Sequence, residues 1–332
     1  MQRLYVITGA NGHLAGTIIR YLKKEDCMIR GLILPSEKAD DEKSIKYYKG
    51  DITKIETMEE IFSDTDGYEV IVMHVAGLIS IASNVSPLIY DVNVNGTKNV
   101  ISLCMKYNVK RMIYVSSVHA IPEVEGMGII SEVTSFSKDW VEGAYARTKA
   151  EASQAVVDAV NEGLDAVLVH PSGILGPYDE GNNHMVQLIK SYISGKLPAG
   201  ITGGYDFVDV RDVAKGCIAA VDLGDKGECY ILSNRYVPVK DMLEYMRIAT
   251  NGKRKMCLPL SLAACAAPVS EWIGKVTKTR PLFTVYSLHT MRSNSRFSHD
   301  KATMQLAYSP RDMKVTVADT ISWLKTKKCS EF

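Results

Sequence analysis

Short, continuously apolar runs alternate with longer segments of helical periodicity through the first half of this chain, and few architectures accept that alternation. RLYVITG, CMIRGLIL, EVIVMHVAG, RMIYVSS and LDAVLVHPSGI read as strands. Between them, HLAGTIIRYLKKED, TMEEIFSDT, PLIYDVNVNGTKNVISLCMKYN and AYARTKAEASQAVVDAVNEG read as helices. A strand that is apolar on both sides has to be covered on both faces, as in a parallel sheet wrapped by helices. The expected fold class is α/β, with a doubly wound parallel sheet.

After Pro171 the rhythm breaks. Gly and Pro crowd GILGPYDEG and SGKLPAGITGG, and the helical segments MVQLIKSYIS and VKDMLEYMRIAT are separated by irregular stretches. Residues 1–170 are expected to form the α/β unit, with 205–235 (YDFVDVRDVAKGCIAAVDL, then ECYILS) returning to it. Residues 171–204 and 236–332 are expected to form a smaller, mostly α-helical C-terminal lobe that holds the substrate.

Thirty-nine basic and 38 acidic residues leave a net charge of +1, so no global field recruits nucleic acid or an anionic membrane. The seven cysteines are scattered without a CxxC pair, which reads as free thiols in a reducing compartment. MQRLYVITGA leads straight into a strand, with no signal-peptide pattern. The most apolar later stretch, Leu258 to Val269, falls short of the ~20 residues of a spanning helix. No membrane insertion and a cytoplasmic location are therefore expected. No pair of histidines has ligand spacing with acids or cysteines, so no metal is expected.

The first strand runs into Thr8-Gly9-Ala10-Asn11-Gly12-His13-Leu14-Ala15-Gly16 and then a helix. A glycine-rich turn of this kind lets backbone N–H groups approach a pyrophosphate at the positive end of the helix. Gly9, Asn11, Gly12, His13 and Leu14 are thus candidates for holding a dinucleotide. The second strand ends Ile33-Leu34-Pro35, with neither acid nor base at the position that commonly separates NAD from NADP. Arg30 and Lys38 lie close by and Glu37 is the nearest acid, which tilts the expectation for an NAD(P) cofactor slightly towards NADP.

Tyr145 and Lys149 form YxxxK on a predicted helix and so share one face. A free phenol, with a pKa near ~10, exchanges protons poorly at neutral pH; a neighbouring ammonium favours the phenolate and lowers that value. Upstream, Ser116 and Ser117 end a predicted strand on the edge where open α/β sheets bind ligands. A serine there can orient a reacting carbonyl or alcohol oxygen beside Tyr145.

Taken in order, TGANGHLAG, GDIT, HVAG, VNVNGTKN, YVSS, YARTK, HPSGILGPYD and FVDVRDVA resemble the extended short-chain dehydrogenase/reductases, the NAD-dependent epimerase/dehydratase family, over roughly two-thirds of the chain. Within that family the pattern is most similar to dihydroflavonol reductase-like and 3β-hydroxysteroid dehydrogenase-like members. The resemblance implies a Rossmann fold with Tyr145 as general acid/base, Ser117 as catalytic serine with Ser116 second, and Lys149 bonding the nicotinamide ribose. It puts Asp51 and Ile52 at the adenine, Ala76 and Gly77 along the cofactor, and Pro171 to Gly173 beside the nicotinamide. Asn93 falls at the family's helix asparagine, where it holds a water or the helix backbone. Ser116 is also counted among the cofactor contacts.

Nucleotide-sugar epimerases and dehydratases of the family commonly carry an arginine just before FVDVRDVA; here Gly203-Gly204-Tyr205-Asp206 stands there. Arg292 and Arg296 remain as phosphate partners or as surface charge. CLPLSLAACAAPVSEWIG is either an apolar wall over a hydrophobic substrate or an ordinary buried helix. His119, Tyr178 and His184 are candidate substrate-binding residues. The favoured expectation is a carbonyl reductase or alcohol dehydrogenase acting on a small molecule. Its alternatives are a nucleotide-sugar epimerase/dehydratase and a non-catalytic dinucleotide sensor. The helices 87–107 and 145–162 correspond to those of the family's four-helix dimer interface. Ala150, Ala152, Ala155 and Ala159 would either permit close approach in a homodimer or pack on the sheet.

Overall fold

The computed structural model describes residues 1–79, 86–124, 126, 128–179, 183–259 and 295–330. Arg292 and most of the apolar stretch from Leu258 to Val269 lie outside them.

β1 (Gln2–Thr8) is buried along nearly its whole length and lies between β2 (Cys27–Ile33) and β4 (Tyr68–His74), parallel to both. With β3 (Ile45–Lys49), β5 (Arg111–Val115), β6 (Ala166–Pro171) and β10 (Cys229–Leu232) they make a seven-stranded parallel sheet in the order β10-β6-β5-β4-β1-β2-β3. The order reverses between β1 and β4, and there the chain supplies its two glycine-bearing turns. This is the doubly wound Rossmann arrangement, with its ligand edge at the carboxyl ends of the strands.

Helices cover both faces. On one, α1 (His13–Leu22) buries Leu14, Ala15, Ile18, Ile19 and Leu22, the i, i+4 stripe that a single helix face requires. It packs beside α7 (Val210–Leu223), and each fully buried side chain such as Ile18 stabilises the fold by ~2 kcal/mol. On the other face, α2 (Glu59–Phe62) lies near α4 (Gly96–Lys106) and α5 (Ala144–Asn161). α4 continues α3 (Pro87–Tyr90) through a π turn over Asp91–Asn95, so the single helix expected for 87–107 carries one widened turn. Ala150, Ala152 and Ala159 of α5 are buried in the core of this face, with Ala146, while Ala155 is half-buried. The outward positions of α4 and α5 carry Lys98, Arg147 and Asp158.

The smaller lobe is built on a second sheet, β11 (Arg235–Pro238), β9 (Gly204–Asp209) and β7 (Gly173–Leu175), in that order. A two-stranded ladder joins β8 (Gly200–Ile201) to β12 (Cys257–Leu258). α6 (His184–Ile193), α8 (Val239–Thr250) and α10 (Met313–Ser330) close over a core that includes Leu175, Ile189, Phe207, Met242, Met246, Val317 and Ile321.

Three expectations need correction. LDAVLVHPSGI is not one strand: it breaks at Ser172, where the chain leaves the large sheet for the small one. Only β10 and α7 of 205–235 return to the first unit, because β9 pairs with β7 and β11 instead. And 300–308 does not belong to the lobe. α9 (Asp300–Leu306) lays Ala302 and Leu306, with Tyr308 after it, into the core shared by α1 and α7. The two units are locked at the start of α7. There Asp209, fully buried, takes hydrogen bonds from the Arg211 guanidinium and from Thr316 Oγ1 of α10 (2.7 Å).

Candidate active site

The glycine turn is built to receive an anion. Gly9 has φ +67°, and a Cβ there would stand 3.0 Å from Ala76 Cα; on Gly12 it would stand 3.0 Å from the Gly9 carbonyl oxygen. Both positions therefore need bare backbone. Gly12 caps α1 without any side-chain hydrogen bond, and the first turn of the helix holds no acid. Its leading N–H groups are left to an incoming phosphate. The residues present thus fit the pyrophosphate of a dinucleotide.

Thr8 and His74 join this turn to the next strand. Thr8 Oγ1 accepts from Val75 N–H and Ala76 N–H (both 3.1 Å), so its own hydrogen goes to His74 Nδ1 at 2.8 Å. His74 Nε2 then carries the ring proton and donates to Thr97 Oγ1 (3.0 Å), which donates to the Asn93 carbonyl (2.7 Å). Burial, and secondly the charge of Lys149, push His74 down to about 3, so the ring is neutral. Asn93, on the π turn, accepts from Leu78 N–H (2.8 Å) and donates to Leu78 O (3.0 Å) and Thr148 Oγ1 (3.1 Å). Thr148 Oγ1 in turn donates to Tyr145 O (2.8 Å). Asn93 therefore fixes backbone, and π turns recur where a helix must aim one side chain at a site.

Lys149 lies on α5 one turn after Tyr145. Its Nζ donates to the Val115 carbonyl (2.9 Å), sits 5.1 Å from the Tyr114 ring centroid, and would be 3.5 Å from a Cβ on Gly77. Burial brings the ammonium down to about 8, and it remains charged at neutral pH. Ser117 caps the short turn Val118–Ala120, its Oγ accepting from His119 N–H at 3.3 Å. Ser116 Oγ pairs instead with Ser153 Oγ at 2.7 Å inside the α5 packing. Of the two hydroxyls, only that of Ser117 is left to a substrate.

Beside Tyr145 stands His119, ring centroids 6.0 Å apart and edge-on. His119 stacks on Tyr205 at 5.8 Å, with Nε2 and the Tyr205 hydroxyl 3.0 Å apart, and Tyr205 meets Phe207 and Phe297 edge-on. Burial lowers His119 to about 4, so it contributes a neutral ring. Tyr205 thus occupies the position at which an arginine was sought, and the wall next to the proposed proton donor is aromatic.

Other candidates are placed differently. Arg30 donates to the carbonyls of Ile61, Ser63 and Asp64, which holds its guanidinium at the end of α2. Lys38 is exposed, and its carbonyl accepts from Asn11 Nδ2 (3.4 Å) across the glycine turn. Glu37 Oε2 accepts the Leu34 N–H (2.8 Å), which brings an acid to the end of β2. Asp51 Oδ1 is held by Thr53 N–H and Thr53 Oγ1 (2.9 and 2.8 Å), and the buried Ile52 is fixed through its carbonyl by Asn99 Nδ2 (2.8 Å). The Tyr178 ring lies under Arg20 (4.6 Å) and against Trp323, a joint between α1 and α10. His184 opens α6, which Asn183 caps. Arg296 pairs through its carbonyl with Ile130 N–H.

The sequence reading missed His170 and Asp206, which flank Pro171–Gly173. His170 is fully buried against Phe136 (5.2 Å), and neither ring nitrogen has a partner among the described residues. Asp206 Oδ1 accepts from Ser172 Oγ (2.6 Å) and Asn234 N–H (3.1 Å), the residues at which the chain crosses from the large sheet to the small one. Its Oδ2 is buried with no partner among the described residues, and burial pushes the carboxyl up to about 7. His170 opens the motif HPSGILGPYD and Asp206 stands directly before FVDVRDVA, but only three-dimensional pairing reveals their surroundings.

A family model for the NAD dependent epimerase/dehydratase family matches residues 5–233. The chain belongs to that family. A sterol-4-alpha-carboxylate 3-dehydrogenase, decarboxylating, of Schizosaccharomyces pombe is 25% identical over 97% of the chain and 98% of its own length. A dihydroflavonol 4-reductase-like protein of Synechocystis sp. is 26% identical over 98% and 95%. Among solved structures, the crystal structure of gox2253 superposes with a TM-score of 0.83 at 28% identity, covering 98% of this chain and 99% of that one. These findings support an NAD-dependent oxidoreductase of the extended short-chain type. Among the described residues no helix is long and apolar enough to cross a membrane.

Proposed function

We propose that this protein reduces a carbonyl, or oxidises the corresponding alcohol, on a largely apolar small molecule, with Tyr145 as general acid/base. The observation that carries this reading is the aromatic wall of His119 and Tyr205 beside the Tyr145 ring, where a sugar-nucleotide enzyme would present a cation. The names of the sterol dehydrogenase and dihydroflavonol reductase-like relatives agree with it.

The nicotinamide would carry the hydride when bound. The chain's own residues handle position and protons. In the reductive direction Ser117 Oγ–H and Tyr145 Oη–H converge on the carbonyl oxygen, and Tyr145 delivers the proton. Lys149, still charged at neutral pH although burial lowers it to about 8, stabilises the phenolate left behind. Pro171–Gly173 flanks the ring-binding edge, and Asp51 with Ile52 closes the adenine end.

For the cofactor, Arg30 is committed elsewhere and Glu37 stands at the end of β2, which favours NAD over the NADP first expected. A homodimer through α4 and α5, and a location in the cytoplasm, remain part of this reading.

The experiment is stoichiometric oxidation of NADH by polycyclic ketones such as 3-ketosteroids and flavanones, compared with UDP-glucose. Net NADH consumption with the ketones, lost in Tyr145→Phe while NADH still binds, is the expected result. Epimerisation of the sugar nucleotide without net NADH consumption would overturn it.

A further inference from the structure

We propose that the His13 side chain is a proton-linked binding group for the dinucleotide phosphates, taking up a proton as the pyrophosphate settles on the glycine turn. The inference rests on the dinucleotide cofactor of the preceding reading and adds a role for a side chain that the turn's backbone chemistry does not use.

His13 is the first residue of α1, directly after Gly12. Its Nε2 lies 2.8 Å from the carbonyl oxygen of Pro177. A carbonyl only accepts, so Nε2 carries the hydrogen. In the neutral ring Nδ1 then holds only a lone pair, and it becomes a donor to an anion solely by protonation.

The loop that supplies Pro177 is held in an unusual conformation. Gly176 has φ +155° and Tyr178 has φ +74°, the left-handed region that an aromatic residue seldom adopts. The Arg20 guanidinium over the Tyr178 ring and the edge of Trp323 keep the loop against α1. Such strain is retained where surrounding contacts over-determine it, commonly at ligand clamps.

Burial lowers the basicity of His13, while Asp179, the Pro177 carbonyl and Asp209 oppose that fall. Asp179 comes from the loop after β7 and is itself bonded to Asn183 N–H (2.7 Å). Asp209, at the start of α7, is shared with Arg211 (2.7 Å) and Arg311 (3.6 Å), and Arg20 lies two turns along α1. Near neutral pH the free protein therefore holds an uncharged ring beside an uncapped helix start. A pyrophosphate placed there brings negative charge within a few ångströms, which favours imidazolium by about tenfold or more. A group whose pKa is raised in the complex takes up a proton on binding, so affinity rises as pH falls.

The test is the affinity for NADH, and separately for NADPH, read from nicotinamide fluorescence between about pH 8 and about pH 6, the range in which imidazole titrates. Wild type is expected to bind about tenfold tighter at the acid end. His13→Gln, which can still donate to Pro177 but cannot titrate, should bind with no such trend. Lys149→Met and Asp206→Asn, which remove the groups that titrate at about 8 and about 7, should each keep it. Calorimetry of wild type in phosphate and in Tris buffer should show net proton uptake on binding.

A wild-type affinity that changes less than about twofold, a full trend surviving in His13→Gln, or calorimetry without proton uptake would each overturn the inference and leave the cofactor reading standing. Failure of both nucleotides to bind at any pH would overturn the cofactor reading as well. If His13→Gln does not fold, the wild-type calorimetry decides.

Discussion

The Tyr205 hydroxyl lies 3.0 Å from His119 Nε2 while the two rings stack 5.8 Å apart, so one pair supplies both a flat apolar surface and a single polar point next to Tyr145. Tyr205 reaches this place because β9 alternates. Tyr205 and Phe207 face the lobe, while Asp206 between them faces the crossing of the two sheets.

That alternation separates two effects in one strand. Tyr205→Ala is expected to raise KM for a polycyclic ketone about tenfold, the scale of losing one aromatic contact, with NADH affinity unchanged. Steady-state kinetics alongside NADH titration check this; an equal loss of NADH affinity would show that the wall belongs to the cofactor.

Lys149 sets a pH limit. Its ammonium titrates at about 8, below the ordinary lysine range, because burial disfavours the charge. The reductive kcat should fall as pH rises through that value, since the phenolate loses its cation. The stability sign is opposite. A lysine whose folded pKa is lowered makes the fold less stable below that pKa, and the deficit disappears as pH rises towards the free-lysine range. Lys149→Met should therefore raise stability at neutral pH by on the order of 2 kcal/mol while abolishing turnover, measurable by urea unfolding and NADH oxidation.

Asp206 predicts a different pH dependence. Its carboxyl, raised to about 7 by burial, favours the folded state while protonated. That contribution is complete below the ordinary aspartate range and is lost as pH rises through about 7. Asp206→Asn keeps an acceptor for Ser172 and Asn234 but cannot ionise. Relative to wild type it should gain on the order of 2 kcal/mol between about pH 5 and about pH 8, read from denaturant midpoints at each pH. A constant difference across that range would show that the carboxyl does not titrate there.

Glu37 tests the nucleotide preference. With its carboxylate on Leu34 N–H at the end of β2, NADH should bind more tightly than NADPH, and Glu37→Gln should narrow the gap by about tenfold. A wild-type preference for NADPH would return the 2′-phosphate to Lys38 or to another group.

Much of the site could be read from the chain because local chemistry dictates it. Gly9 and Gly12 announce a bare turn, YxxxK sets two side chains on one helical face, and apolar strands of this length require two covered faces. What could not be read depended on distant pairing. Arg30 looked like a phosphate ligand, and only the fold shows its guanidinium held at the end of α2, thirty residues on. Tyr178 lay beside a promising motif but is bound by Arg20 and Trp323. HPSGI looked like one strand because no local signal marks Ser172 as the point where one sheet gives way to another. Position 205 was noticed for the arginine it lacks, and its partnership with His119 became visible only in three dimensions.

The π turn over Asp91–Asn95 makes the helix longer by one residue than regular coiling would require. Excising a single residue there would let the backbone relax into an unbroken α-helix, with better hydrogen bonding along its length. It would also close the widened turn and re-place the residues inside it, carrying Asn93 away from Leu78 and Thr148. For this protein, a more regular helix should make a poorer enzyme.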